Sequence, residues 1–256
     1  MLRYTFLGTG TSQGVPLIGC QCKVCTSTDT RDQRLRTSLH VQSDTTSIVV
    51  DAGPDFRQQM LRHKIYQLDA VLLTHSHKDH IAGLDDVRAY NFMQKKSMPV
   101  YGNAFTLQEL RREFPYIFDG NNYPGIPKID VFELQAFDNF TIGDIDITVI
   151  PVMHLKLPVW CYLFNKEFAY ITDANFLSEE TKAIIKDVDV LVLNALRQES
   201  HVSHFSLEEA IAVSDEVGAK QTYFVHASHQ LGTYEDVSGI LPHNKLLAYD
   251  GLVVNL

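Results

Sequence analysis

The sequence predicts an α/β fold, and three observations predict it. Of 256 residues, 45% are apolar and 21% charged, the makeup of a globular chain long enough to bury a sizeable core. Short runs of β-branched and aromatic residues recur along the chain, as strands require. Stretches with helical spacing lie between many of those runs. Strands with interspersed helices imply an α/β architecture without fixing the order of the sheet.

In chain order, strands are expected at Tyr4 to Leu7, Ser47 to Val50, Ala70 to Leu73, Ile145 to Ile150, Trp160 to Phe164, Ala169 to Thr172, Val188 to Leu193 and Thr222 to Val225. Helices are expected near Asp55 to His63, Phe105 to Phe114, Leu177 to Lys186 and Leu207 to Val217. The last has the clearest start, because Ser206 and Glu209 have the spacing of a reciprocal capping box. Residues 115–127 are rich in Gly, Asn, Pro and Tyr, follow no period, and read as a long loop, functional or structural. With no linker and no internal repeat, residues 1–256 read as one domain.

A net charge of −9 disfavours long nucleic acids, whose binding needs clustered Lys and Arg to displace counterions. A small anion is still admissible, since divalent ions in a cleft would reverse the local sign. The first residues read as a strand and a glycine turn rather than a secretory signal, which places the protein in the cytoplasm. No run approaches the roughly 20 apolar residues of a membrane span. Three of the four cysteines, Cys20, Cys22 and Cys25, fall within six residues and read as metal ligands rather than a disulfide framework.

The central signal is Thr-His-Ser-His-Lys-Asp-His, from Thr74 to His80, directly after the apolar run that begins at Leu68. In extended backbone, residues two apart face the same side, so His75 and His77 can present imidazoles to one ion. Asp79 and His80 follow as the chain bends before Gly83 and can point toward a neighbouring ion, as two-metal hydrolases need. A lone histidine is more often a surface or hydrogen-bonded core residue. Four ligand-type residues in six positions reverse that preference, because burying them without a cation would cost about 1–3 kcal/mol per unsatisfied group.

This motif resembles that of the metallo-β-lactamase superfamily, in which it is followed by a lone His, a lone Asp and another His at strand ends. His154, Asp173 and His226 each follow an apolar run in this order. The resemblance covers nearly the whole chain. It implies an αββα sandwich of two mixed β-sheets packed face to face with helices outside. It also implies that His75, His77 and His154 hold one ion, that Asp79, His80 and His226 hold the other, and that Asp173 bridges them.

Cys20, Cys22 and Cys25 are one ligand short of a closed structural zinc site, and His229 is the candidate for the fourth, tying the two ends of the chain together. The combination resembles the PhnP-type phosphoribosyl cyclic phosphodiesterases, whose Cys-rich zinc loop is completed by a C-terminal His. The pyrroloquinoline-quinone biosynthesis proteins share a similar loop. By resemblance, His204 is the candidate general acid, with His201 its rival. Arg197 is either a phosphate contact or a surface residue. Asp51 caps the following helix or supports the metal loop, and His40, His63 and His243 are treated as structural or surface residues.

The implied reaction is hydrolysis of a small cyclic phosphodiester such as phosphoribosyl 1,2-cyclic phosphate. Hydroxide generated between two divalent ions would attack phosphorus while Asp79 holds metal and His204 protonates the leaving oxygen. Imidazole and carboxylate ligands admit zinc, manganese or iron at the two catalytic positions, and the thiolates select zinc. The expected partner is a small anionic phosphodiester, with no membrane and with a homodimer left open. The alternatives are a tRNA 3′-end processing endonuclease and a non-catalytic metal-binding accessory protein of cofactor biosynthesis.

Overall fold

The computed structural model describes residues 1–120 and 123–256. The first half runs through β1 (Arg3–Gly8), β2 (Ser38–Gln42), β3 (Ser47–Val50), α1 (Phe56–His63), β4 (Ala70–Leu72), α2 (Lys78–Ile81), α3 (Arg88–Gln94), β5 (Met98–Gly102), α4 (Ala104–Glu113), α5 (Pro115–Phe118) and β6 (Ile129–Glu133). The second runs through β7 (Asn139–Ile142), β8 (Ile145–His154), β9 (Leu157–Phe164), β10 (Phe168–Tyr170), α6 (Glu179–Ile184), β11 (Val190–Asn194), α7 (Leu207–Val217), β12 (Gln221–Val225), α8 (Tyr234–Ser238), β13 (Lys245–Leu247) and β14 (Val253–Asn255).

These strands form two seven-stranded sheets, ordered β14-β1-β2-β3-β4-β5-β6 and β7-β8-β9-β10-β11-β12-β13. In that order the first three pairings of each sheet are antiparallel and the last three parallel. The two sheets are therefore built alike. The two-residue period of the strands assigns the faces. In β11, Val190 and Val192 enter the core between the sheets, whereas Leu191 and Leu193 pack with Leu207, Ala210 and Val217 of and beside α7. On the other sheet, Val49 and Val71 face outward onto Phe56 and Met60 of α1 and Leu107 and Leu110 of α4. Helices thus cover both outer faces, giving the αββα sandwich.

The core between the sheets is aromatic at its far end, where Tyr4 of β1 stacks on Phe168 of β10 with centroids 3.8 Å apart. Near the functional end, the Tyr162 hydroxyl of β9 donates to the Leu73 carbonyl at 2.7 Å, and Trp160 N donates to the Thr74 carbonyl at 3.0 Å. These cross-sheet bonds hold the Thr74 to His80 segment against the second sheet.

The eight expected strands and four expected helices all form, with ends shifted by a few residues at most positions. The capping box closes, with Ser206 N donating to Glu209 Oε2 at 2.7 Å and Glu209 N to Ser206 Oγ at 3.3 Å. Six further strands form outside the expected runs. His40 interrupts β2, Pro99 and Gly102 interrupt β5, and β6 alternates Asp130 and Glu133 with apolar residues at a sheet edge. Within the loop expected over 115–127, Pro115 instead starts a helical turn, its fixed φ suiting the first helical position. Residues 121 and 122 of that loop lie outside the described residues.

His40 is 4% exposed, and its Nε2 lies 2.8 Å from Ser47 Oγ across β2 and β3. Burial, together with the nearby His63 and Arg3, pushes its pKa down to about 4. The unfolded chain therefore takes up this proton first, and the stability His40 contributes is complete above pH 6.5 and lost as pH falls toward 4. Unfolding free energy should drop over this window by up to about 3 kcal/mol more in the native chain than in His40→Gln. Parallel slopes in denaturant titrations of the two proteins would show that another group carries the effect.

Candidate metal centre

Beyond β4 the chain runs through His75 and His77 and turns into α2, whose first turn carries Asp79 and His80. That helical turn, rather than a simple bend, separates the two pairs of ligand-type residues. Two glycines let it dock. A Cβ on Gly53 would lie 1.9 Å from the Asp79 carbonyl oxygen, and one on Gly83 would lie 2.0 Å from the Gly53 carbonyl oxygen. The close approach is fastened by Ala52 N to His80 O at 2.8 Å and Gly83 N to Ala52 O at 2.9 Å.

The second sheet supplies the rest from its strand ends: His154 closes β8, Asp173 follows β10, His204 precedes α7 and His226 follows β12. Candidate donor atoms of His75, His77 and His154 all lie within 4.8 Å of one another, as do those of Asp79, His80, Asp173 and His226. A third such set, His154, Asp173 and His204, shares His154 with the first and Asp173 with the second. The structure thus brings together all seven residues expected to hold two metals. Within the second set, His80 Nε2 lies 3.1 Å from Asp79 and 3.3 Å from Asp173, and His226 Nε2 lies 3.1 Å from Asp173.

The outer ring nitrogens of His154 and His80 are held by the protein. His154 Nδ1 lies 2.7 Å from the Ser203 carbonyl, an acceptor, so that nitrogen carries the proton and Nε2 is left as a lone pair. His80 Nδ1 lies 2.7 Å from Asp51 Oδ2, and Asp51 also accepts from Thr74 N and Thr74 Oγ1, both at 2.8 Å. Asp51 therefore supports the metal loop and does not cap α1, whose first residue follows Asp55. Such outer partners fix imidazole orientation and raise ligand basicity.

The inner nitrogens fit a metal. Among the described residues, His80 Nε2 and both ring nitrogens of His226 are buried without a hydrogen-bond partner, although carboxylates of Asp79 and Asp173 lie near both Nε2 atoms. Electrostatics agree. Burial would push Asp173 up, but the His226 and His80 imidazoles outweigh it and hold the carboxyl well below its usual range. Asp79 is held low in the same way, chiefly by His80. Burial opposes charge on His226 too, yet Asp173 raises it to about 9. The centre stores negative charge that protons or metal ions must balance. Imidazole and carboxylate together suit zinc, manganese or iron.

His204 is 8% exposed, and its Nδ1 sits 3.9 Å from Asp173 Oδ1. Burial, and then His226, push it down to about 3, so an anion beside it is what would favour its charged form. His201 lies one ring further out, 5.4 Å from His204 between centroids, and belongs to none of the three sets. Arg197 donates to the carbonyls of Glu199 and Ser200, so it holds its own loop together.

Cys20, Cys22, Cys25 and His229 form a separate cluster with donor atoms within 4.8 Å. All four cysteines are free thiols, and His229 Nδ1 lies 3.4 Å from the sulfurs of both Cys20 and Cys22. A hydrogen bond from the Cys25 backbone, with His229 next, lowers Cys22 to about 6, whereas burial raises Cys25 to about 11. Three sulfurs and one imidazole suit tetrahedral zinc. Nearby, Tyr234 N donates to Asp32 Oδ1 at 2.6 Å, also joining the N-terminal loop to the segment that contains α8.

The family profile described as Beta-lactamase superfamily domain matches residues 46–227, which carry all seven residues of the histidine and aspartate cluster. The chain belongs to the β-lactamase superfamily, in its metal-dependent branch. A solved structure described as a new diphosphatase from the PhnP family superposes with a TM-score of 0.93, at 36% identity over 100% of this chain and 98% of that one. A Porphyromonas gingivalis protein named octanoyltransferase is 38% identical over 98% of this chain but only 51% of its own length. The chain thus spans about half of that relative. A Bacillus anthracis exodeoxyribonuclease, YycJ, is 28% identical over 75% of this chain and 76% of its own length. Among the described residues, no helix of this superfamily member is long and apolar enough to cross a membrane.

After reconstitution, elemental analysis should find about three metal ions per chain, two from the His and Asp centre and one from the thiolates. Asp173→Asn should keep only the thiolate-bound zinc, and Cys22→Ser should lose that zinc and melt earlier. Asp51→Asn should weaken catalytic metal binding by roughly 10–100-fold. Unchanged stoichiometry in Asp173→Asn would count against the clustered donors as ligands.

Proposed function

We propose that the chain hydrolyses a small phosphodiester, with a cyclic phosphate on ribose as the specific candidate. The observation that carries the reading is the convergence of His75, His77, His154, Asp79, His80, Asp173 and His226, with buried inner nitrogens that no protein group satisfies. Two divalent ions held there would lower the pKa of water toward about 7 and neutralise phosphoryl oxygens. The protein's own groups do the positioning. Asp51 and the Ser203 carbonyl hold His80 and His154 in the tautomer that faces inward. His204, at the mouth between His154 and Asp173, is the group we assign to protonating the leaving oxygen once an anionic substrate lies beside it.

Similarity to a diphosphatase at 36% identity over the full chain supports a small phosphoryl substrate. Cleavage of a diphosphate bond is accordingly the second reading. A net charge of −9 supports either over a long nucleic acid, although the exodeoxyribonuclease relative makes nuclease activity the outcome to compare.

The test is a panel in which the metal-loaded protein meets ribose 1,2-cyclic phosphate, a dinucleoside diphosphate, bis(4-nitrophenyl) phosphate, single-stranded DNA and a tRNA precursor. Cleavage of the cyclic ester, abolished by chelator and lowered roughly 10²- to 10⁴-fold in kcat by His204→Asn, is expected. Preference for the diphosphate selects the second reading. Preference for a nucleic acid overturns both, as does a fully metallated protein that turns over nothing.

A further inference from the structure

Around the mouth of the metal centre, three large apolar side chains are left in solvent: Leu155 at 55% exposure, Phe176 at 57% and Val202 at 73%. Each belongs to a different loop, and each sits within three residues of a residue in the cluster, His154, Asp173 or His204 respectively. The loops are fastened to one another. Asn175 Oδ1 accepts from Leu155 N at 2.7 Å, and Asn175 Nδ2 donates to the Val202 carbonyl at 3.2 Å. Met153 N donates to the Phe176 carbonyl at 3.1 Å, and Asn175 N to the Met153 carbonyl at 2.9 Å. The half-buried Asn175 thus ties the loops of Leu155 and Val202 together, with Phe176 next to it in the chain.

Leu155 carries an additional signal. It opens the two-residue turn between His154 and Leu157, which pair at the ends of β8 and β9, and its φ is +57°. Glycine or asparagine is the inexpensive residue there, and a leucine is strained by about 1–2 kcal/mol. Leu155 thus combines exposed carbon with strained backbone. Strain of this kind clusters where ligands are held.

We propose that Leu155, Phe176 and Val202 form a subsite that receives an apolar or aromatic substituent of the substrate, next to the phosphoryl group at the metals. The inference deepens the hydrolase reading and rests on it for the position of the phosphoryl group. It narrows the substrate class to a phosphoryl ester or anhydride that carries an aromatic group, such as a nucleobase on the ribose that bears the cyclic phosphate. The phosphoryl end is anchored by charge, and the rim selects by burying carbon.

The test uses binding, so that it stands apart from turnover. Phenylphosphonate and methylphosphonate, which differ in the substituent on phosphorus, are titrated calorimetrically into the metal-loaded protein. The phenyl compound should bind roughly tenfold more tightly, and the combined Leu155→Asn, Phe176→Ser, Val202→Ser variant should remove most of that ratio. Phe92→Ser, an exposed apolar position on α3, serves as the control and should retain it. Equal binding of the two phosphonates by the native chain overturns the proposal, as does a ratio that survives the triple variant. If both compounds bind with the expected ratio yet no phosphoryl ester in the panel is cleaved, the rim stands and the hydrolytic reading fails.

Discussion

The rest of the structure depends on one constraint: the carboxylates of Asp51, Asp79 and Asp173 are withdrawn from water at a point where two sheets meet, and positive charge must be brought to them. Asp51 and Asp173 are almost wholly buried, and the Asp79 side chain is 12% exposed. An isolated buried carboxylate would protonate instead of remaining charged. Here His80 and His226 keep Asp79 and Asp173 ionised, and in doing so their own nitrogens are left aimed at the centre without hydrogen bonds. Such a centre is poorly satisfied as a protein core and well satisfied as a metal site.

The sandwich explains how ligands so distant in sequence arrive together. In each sheet the parallel strands end on the same side, and ligands of open α/β sheets gather at the carboxyl ends of such strands. Asp51 follows β3 and Asp173 follows β10, the fourth strand in the order of each sheet. Both aspartates take up positive φ, +64° and +54°, and so does His226 at +58°. Asp51 reaches Thr74 and His80 beyond the neighbouring β4, whereas Asp173 and His226 reach His80 and Asp79 across the sandwich. The strain is supported by the bonds around it, including Thr172 Oγ1 to Asp173 Oδ2 at 2.6 Å and the three bonds accepted by Asp51.

What was legible in the sequence was whatever depends on local spacing. His75, His77, Asp79 and His80 announce themselves because they stand close together after an apolar strand, and Ser206 with Glu209 announces α7. The outer residues His154, Asp173 and His226 could be picked out only by resemblance, since each is a single polar residue at the end of an ordinary strand. The role of Asp51 was left between two readings because a carboxylate four residues before Asp55 looks like any helix start. Its true partner, His80, is 29 positions away. Gly53 and Gly83 carry a signal that could have decided it, a pair of glycines flanking the two motifs, but only their backbone contact gives the pair meaning. Edge strands such as β6 were missed for a related reason. With solvent on one side, Asp130 and Glu133 are compatible with a strand, and the pattern resembles a loop.

The thiolate cluster bears on the same centre without sharing its chemistry. His226 and His229 are separated by three positions, yet one faces the carboxylates and the other the sulfurs of Cys20 and Cys22. Between them, Ala227 N donates to the Thr9 carbonyl at 3.0 Å, and Thr11 N donates to the Ala227 carbonyl at 3.1 Å. A metal on the thiolates would therefore clamp the backbone on which His226 takes its strained conformation. Soft sulfur ligands keep that ion distinct from the harder nitrogen and oxygen set. Such an ion would have a mechanical purpose: it would restrain the segment that must hold His226 at positive φ against the relaxation its backbone would otherwise favour.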